Sequence, residues 1–144
     1  MRILAVSADY FASPDEPGCP RFFCLMRELA KRHQISFVTT RQTGDRMRGS
    51  SAHSLLNCFH RASFVNELEK SGWWARKLHN FSLRSHMDLR IRSPQFVTAF
   101  NEVIAQAVRE TGSDVVLARG LQGHCIVPFD LSVPVVVDIV DSLS

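Results

Sequence analysis

The sequence predicts a doubly wound α/β sheet, and three observations predict it. Short apolar runs of strand length alternate with longer amphipathic runs of helix length, the pattern of parallel strands joined by helices. The stretch VPVVVDIVDSLS (133–144) contains a continuous β-branched run, Val135 to Val137, which predicts a strand buried on both faces of a parallel sheet. Asp138, Asp141 and Ser142 then gather at the carboxyl end of that run, where open α/β sheets bind ligands. With no helix following this strand, the chain is expected to be the front part of a larger enzyme.

Residues 2–7 (RILAVS) predict the first strand, and 8–20 a loop broken by Pro14, Pro17, Gly18 and Pro20. A helix over 21–33 follows, because Phe22, Leu25, Met26 and Leu29 fall on one helical face. Arg27, Lys31, Arg32 and His33 put positive charge at its end, where the helix dipole favours it. Residues 35–40 (ISFVTT) predict the second strand. This β–α–β unit implies a right-handed crossover and parallel pairing.

The polar stretch 42–51, with Gly44 and Gly49, is expected to be a loop. A weak strand is expected within 57–65, and helical pieces broken near Gly72 and Ser82 from there to about 91. Ser93 and Pro94 are a suitable N-cap and first helical residue. Phe96, Val97, Phe100, Val103, Ile104, Ala107 and Val108 then form a helical stripe, and Gly112 stands where a C-terminal cap belongs. Residues 114–118 predict a strand, 119–123 a loop, and 124–127 a short helix that Pro128 ends. Pro134 opens the last strand.

Composition bounds the function. Of 144 residues 45% are hydrophobic and 22% charged, enough apolar surface for a packed domain rather than a disordered chain. The net charge of +3 is modest and no recognition motif is present, which argues against nucleic acid as a partner. The local bias is larger. Residues 73–92 hold Arg76, Lys77, Arg84, Arg90 and Arg92 against Asp88, interleaved with Trp73 and Trp74. That segment reads either as a surface for an anionic membrane or as a solvated face with both tryptophans packed inward. No apolar run approaches a membrane span, and the start meets Asp9 before any signal-peptide core. A cytoplasmic protein is expected, with peripheral contact at the inner membrane face through 73–92. Cys19, Cys24, Cys58 and Cys125 show neither Cys-x-x-Cys nor zinc spacing, so free, mostly buried thiols and no metal are expected.

Three loops should share the carboxyl rim of the sheet: 8–20, 119–123 and the segment from Asp141 onward. Gly18 in the first would let backbone N–H groups approach a ligand, or would only permit a turn. Gly-x-Gly-x-x-Gly and the Walker pattern are both absent, which disfavours a nicotinamide or ATP phosphate site. Arg119 is placed to pair with a phosphate or carboxylate, or to stay solvated. His124 is expected near the same rim. Asp138 and Asp141 are three apart and point to opposite faces of an extended strand, so they do not act as a pair. Asp141, at the strand end, is the better candidate for chemistry; with Ser142 it can equally cap a following helix.

MRILAVS (1–7), the Pro/Gly loop, RELAKRH (27–33) before ISFVTT, then SDVVLAR (113–119) and VPVVVDIVDSLS resemble the amino-terminal domain of group 1 glycosyltransferases, family 4, of GT-B fold. The resemblance covers both ends of the chain; 41–92 resembles nothing specific. It implies that 1–144 is the acceptor-side, Rossmann-like half of a retaining enzyme. Such an enzyme moves a sugar from a nucleotide-sugar donor to an acceptor such as a polysaccharide or lipid-linked glycan. The nucleotide sugar is a co-substrate held by a carboxyl-terminal domain that this chain lacks, so the chain alone should not turn over. It places Gly18 in the family's glycine-rich loop, with Cys19 where a second glycine is usual. Arg119 falls in the loop after the fourth strand. Asp141 and Ser142 fall where many relatives carry a functional His. The other reading of the topology is a non-catalytic flavodoxin-like binding or regulatory module. A phosphorylatable receiver of that class needs acidic residues and a late Lys, but only Asp9 fits and no Lys follows Lys77.

Overall fold

β1 (Arg2–Val6) is buried from Ile3 onward and forms the centre of the sheet. The computed structural model describes residues 1–8, 20–48, 53–65 and 94–138. In chain order β1 is followed by α1 (Pro20–Ala30), β2 (Gln34–Thr40), α2 (Arg41–Arg48), α3 (His53–Leu56), β3 (Arg61–Val65), α4 (Pro94–Thr111), β4 (Val115–Arg119), α5 (Gly120–Ile126) and β5 (Val135–Asp138). The strands make one parallel sheet in the order β3-β2-β1-β4-β5. This is the order of the Rossmann fold; the flavodoxin-like order would place β3 beside β1.

The alternation of side chains along the strands builds two cores. Ile3, Ala5, Ile35, Phe37 and Leu117 point to one face and pack with Phe22, Phe23 and Met26 of α1, Met47 of α2 and Leu55 of α3. Leu4, Val6, Val38, Val65, Val116 and Ala118 point to the other and pack with Phe96, Val97, Phe100, Ile104, Ala107 and Val108 of α4 and Ile126 of α5. Helices on both faces are what right-handed crossovers to either side of β1 require. Each fully buried Phe or Ile in these layers contributes about 1.5–3 kcal/mol through apolar area removed from water.

The expected stripe of α4 is the buried one, with Val103 partly buried. On α1 the stripe is rotated: Phe23 is buried, while Leu25 and Leu29 are only partly covered. Gly112 ends α4 at φ +58°, a left-handed conformation that glycine adopts without a Cβ penalty, and the Ser113 N–H donates to the Val108 carbonyl.

Four expectations are corrected. The polar stretch expected as a loop holds α2. Gly44 lies in that helix against the Phe64 ring, which a Cβ there would overlap; Arg48 stacks its guanidinium on the same ring at 4.9 Å. The turn of helix therefore forms through tertiary packing rather than propensity. The loop expected at 119–123 is likewise helical: β4 runs through Arg119, and α5 begins at Gly120. β5 is not buried on both faces. Among the described residues it lies at the sheet edge, and Val135 and Val136 are 37% and 51% exposed. The thiols are not mostly buried: Cys24 and Cys58 are exposed and Cys125 is partly covered, while Cys19 lies outside the described residues. The helical pieces expected at 66–91, the N-cap at Ser93 and the segment 73–92 also lie outside them. Among the described residues, no helix is long and apolar enough to cross a membrane.

The amino end of the sheet is held by exposed charges with full sets of partners. The Asp114 carboxylate accepts the Arg2 backbone N–H at 2.7 Å and the Arg2 guanidinium at 3.2 Å, joining β1 to the start of β4. The backbone hydrogen bond, then the guanidinium, hold its carboxyl below the usual range. Glu110 near the end of α4 accepts from Gln106 at 2.6 Å and pairs with Arg61 at the start of β3. Those two contacts, Gln106 first, also lower its pKa.

Candidate functional site

The strand order sets a topological switch point between β1 and β4. From β1 the chain crosses one face toward β2, and from β4 it crosses the other face toward β5. In folds of this class ligands bind outside the carboxyl ends of the strands at such a switch point.

β4 delivers Arg119 to this rim, and Gly120 follows at φ +65°, a left-handed turn that sends the chain directly into α5. A Cβ at Gly120 would meet nothing within 4 Å, so the demand there is on the backbone alone. Gly123, one turn on, lies against Ala118, where an added Cβ would sit 3.3 Å from the carbonyl carbon. This close approach packs α5 onto the end of the strand that carries Arg119.

Arg119 points to the face covered by α1, the same face as Leu117, and its guanidinium lies 6.0 Å from the centroid of the Phe22 ring. Asp138 is its register partner on β5 and points to the same face. The neighbouring backbones are about 4.8 Å apart. The Asp138 side chain is only 8% exposed, and its Oδ1 accepts from Arg21 Nη2 at 2.9 Å. Arg21 itself is 65% exposed. Consecutive residues of the first turn of α1 thus reach adjacent strand ends: Arg21 to β5, Phe22 to β4.

Asp138 Oδ2 is buried and has no hydrogen-bond partner among the described residues. A buried carboxylate oxygen left without a donor is costly, and in native structures such an atom calls for a specific explanation. Thr39 Oγ1, at the carboxyl end of β2, is a second such atom. Three strand spacings separate β2 from β5, about 14 Å, further than one sugar ring spans. Thr39 therefore lies outside the Asp138 group.

Of the residues singled out from sequence, the structure brings Arg119 to the rim. Gly18, Asp141 and Ser142 lie outside the described residues. His124 is not brought to the rim. It is exposed on α5, its ring edge-on to Phe129 at 6.4 Å, beside a hollow of about 160 Å³ lined also by Val127, Pro128, Val135 and Val137. That hollow opens on the face opposite Asp138. Sequence reasoning set Asp138 aside in favour of Asp141 and missed Arg21. The available signal was Asp138 itself, the first charged residue closing an apolar strand. Among the described residues no group of three His, Cys, Asp or Glu side chains is gathered to hold a metal ion.

The rim therefore places Arg119 beside the Arg21–Asp138 ion pair, and one oxygen of the Asp138 carboxylate has no partner among the described residues. Guanidinium groups recognise phosphates and carboxylates, and the open oxygen accepts from a hydroxyl or amine. In comparisons with known proteins, no family model matches the chain and no curated relative is found.

Proposed function

We propose that this chain is the acceptor-side half of a retaining glycosyltransferase. In this reading a second, carboxyl-terminal domain holds the nucleotide-sugar donor, and the two halves close around the acceptor. Closure excludes water, which would otherwise intercept the transferred sugar. The observation that carries the reading is the rim at the Rossmann switch point, where Arg119, Arg21 and Asp138 converge without a glycine fingerprint for a dinucleotide. Such a rim suits orientation of a polar acceptor rather than the binding of a complete cofactor. The resemblance of both chain ends to family 4 glycosyltransferases supports the donor class and adds Gly18, Asp141 and Ser142 to the same rim. Cytoplasmic residence, with 73–92 touching the inner membrane face near a lipid-linked acceptor, belongs to the same proposal.

The test is sugar transfer from a panel of nucleotide sugars. It is run with the chain alone and with the chain joined to the sequence encoded downstream of Ser144. Transfer by the joined form only, reduced at least tenfold by Arg119→Ala, is the expected result. Neither binding nor transfer by either form, with the chain shown to be folded, would overturn the proposal.

A further inference from the structure

We infer that the hollow between α4 and the turn after α5 is a binding site for an alkylammonium ion, carried by a free polyamine or by a lysine side chain. It lies on the α4 face of the sheet, opposite Asp138, and does not depend on the proposed transfer reaction.

Charge is divided unevenly along the chain. The whole carries +3, yet residues 94–138 hold five carboxylates against Arg109 and Arg119. Three of the five meet arginines from the amino-terminal half: Glu110 with Arg61, Asp114 with Arg2, and Asp138 with Arg21. The other two, Glu102 on α4 and Asp130 in the turn 127–134, have no ion pair among the described residues. Both line one hollow of about 420 Å³, together with Asn101, Ala105, Pro128 and Phe129. That volume is within the range of small-molecule sites.

The remaining lining sets the chemistry of the occupant. Asn101 Oδ1 is buried and has no hydrogen-bond partner among the described residues. A buried acceptor left so is costly, and a donor brought into the hollow relieves it. An ammonium group supplies three N–H donors and no acceptor, which suits two carboxylates and an amide oxygen. Phe129, 79% exposed, adds a ring, whose face attracts cations. The same ring lines the smaller hollow, where His124 packs against it at 6.4 Å. Ala105 and Pro128 offer an apolar wall for a methylene stem. A bare dication would leave ring and wall without a role. Two carboxylates and one amide also fall short of the six or more oxygens that a hard dication takes. A merely solvated acidic surface would explain Glu102 and Asp130, but neither the buried Asn101 oxygen nor the convergence of all three on one hollow.

The experiment is calorimetric titration of the 144-residue chain in an amine-free buffer at constant ionic strength. The probes are spermidine, Nα-acetyl-lysine amide, 1,4-butanediol and magnesium ion. At least one amine should bind tenfold or more tightly than both butanediol and magnesium, against the net positive charge of the chain. The tighter of the two amines names the source, a free polyamine or a lysine side chain. Glu102→Gln and Asp130→Asn should each weaken that amine at least threefold, and the double variant at least tenfold. Phe129→Leu, which keeps an apolar side chain and removes the ring, should weaken it about threefold. Asp45→Asn removes an exposed carboxylate of α2 and should leave it unchanged. Magnesium binding as tightly as the amines, an equal loss in Asp45→Asn, or no amine binding by the folded chain would overturn the inference.

Discussion

The two ends of the sheet treat their carboxylates in opposite ways. At the amino end Asp114 and Glu110 are exposed and each makes two polar contacts, so they act as ties between elements. At the carboxyl rim Asp138 is buried, with one oxygen bound and the other without a partner among the described residues. An exposed carboxylate with full partners contributes to folding and asks nothing of a ligand. A buried one with an open oxygen costs stability in the free chain, and such costs concentrate at functional sites. The comparison therefore separates two environments for charge within one sheet.

Phe22 belongs to the core and to the rim at once, so removing it should break the comparison hardest. Phe22→Ala should cost about 3–5 kcal/mol in denaturant unfolding and also remove the ring beneath Arg119. Phe22→Leu keeps most of the volume and should cost less than about 1.5 kcal/mol. Gly120→Ala tests the rim backbone alone. Its left-handed φ should make the substitution cost about 1–2 kcal/mol by thermal unfolding, although no atom is crowded.

Asp138→Val sharpens the contrast by sign. The variant removes the open oxygen and returns an already exposed Arg21 to water, so stability should rise by about 1 kcal/mol. Asp114→Ala should lower stability in the same assay. A fall in both would make Asp138 a structural tie like Asp114.

The smallest effect is in acid. The carboxyls of Asp114, Glu110 and Glu28 are held below their ordinary values, the last chiefly by its hydrogen bond from Lys31. Their contribution is complete above the ordinary carboxylate range near pH 4 and fades as pH falls through the lowered folded values. Asp114→Asn should flatten that acid limb in urea titrations between pH 5 and 2, measured as about one unit steps. An unchanged slope would mean the Arg2 contact persists only weakly in solution.

Much of the fold is legible in the sequence because each strand and helix carries its own period. β1, β2, β4 and the stripe of α4 stand where the pattern puts them. What the pattern lacks is lateral position. Val135 to Val137 read as a doubly buried strand, but burial depends on having neighbours on both edges, and β5 has only β4 among the described residues. α2 is illegible for a related reason: its polar run with Gly44 gains a helix from the Phe64 ring, which lies twenty residues away in sequence. The site divides likewise. Arg119 was visible as a charged residue just after an apolar strand, although the strand runs one residue further and includes it. The link from Arg21 to Asp138 was not, because it spans 117 residues and depends on where α1 lands across the sheet.

The central place of β1 has a consequence for the order of assembly. Its contact with β2 closes a short loop, whereas its contact with β4 joins residues 112 apart, as the Arg2 to Asp114 hydrogen bond records. During synthesis the first strand therefore waits with one edge bare until the chain beyond Arg119 has left the ribosome. Because long-range parallel pairing is intrinsically slow, that bare edge is the step most exposed to misassociation. The rim cannot exist before it, since Arg119 and Asp138 arrive late and meet a first helix synthesised well before them.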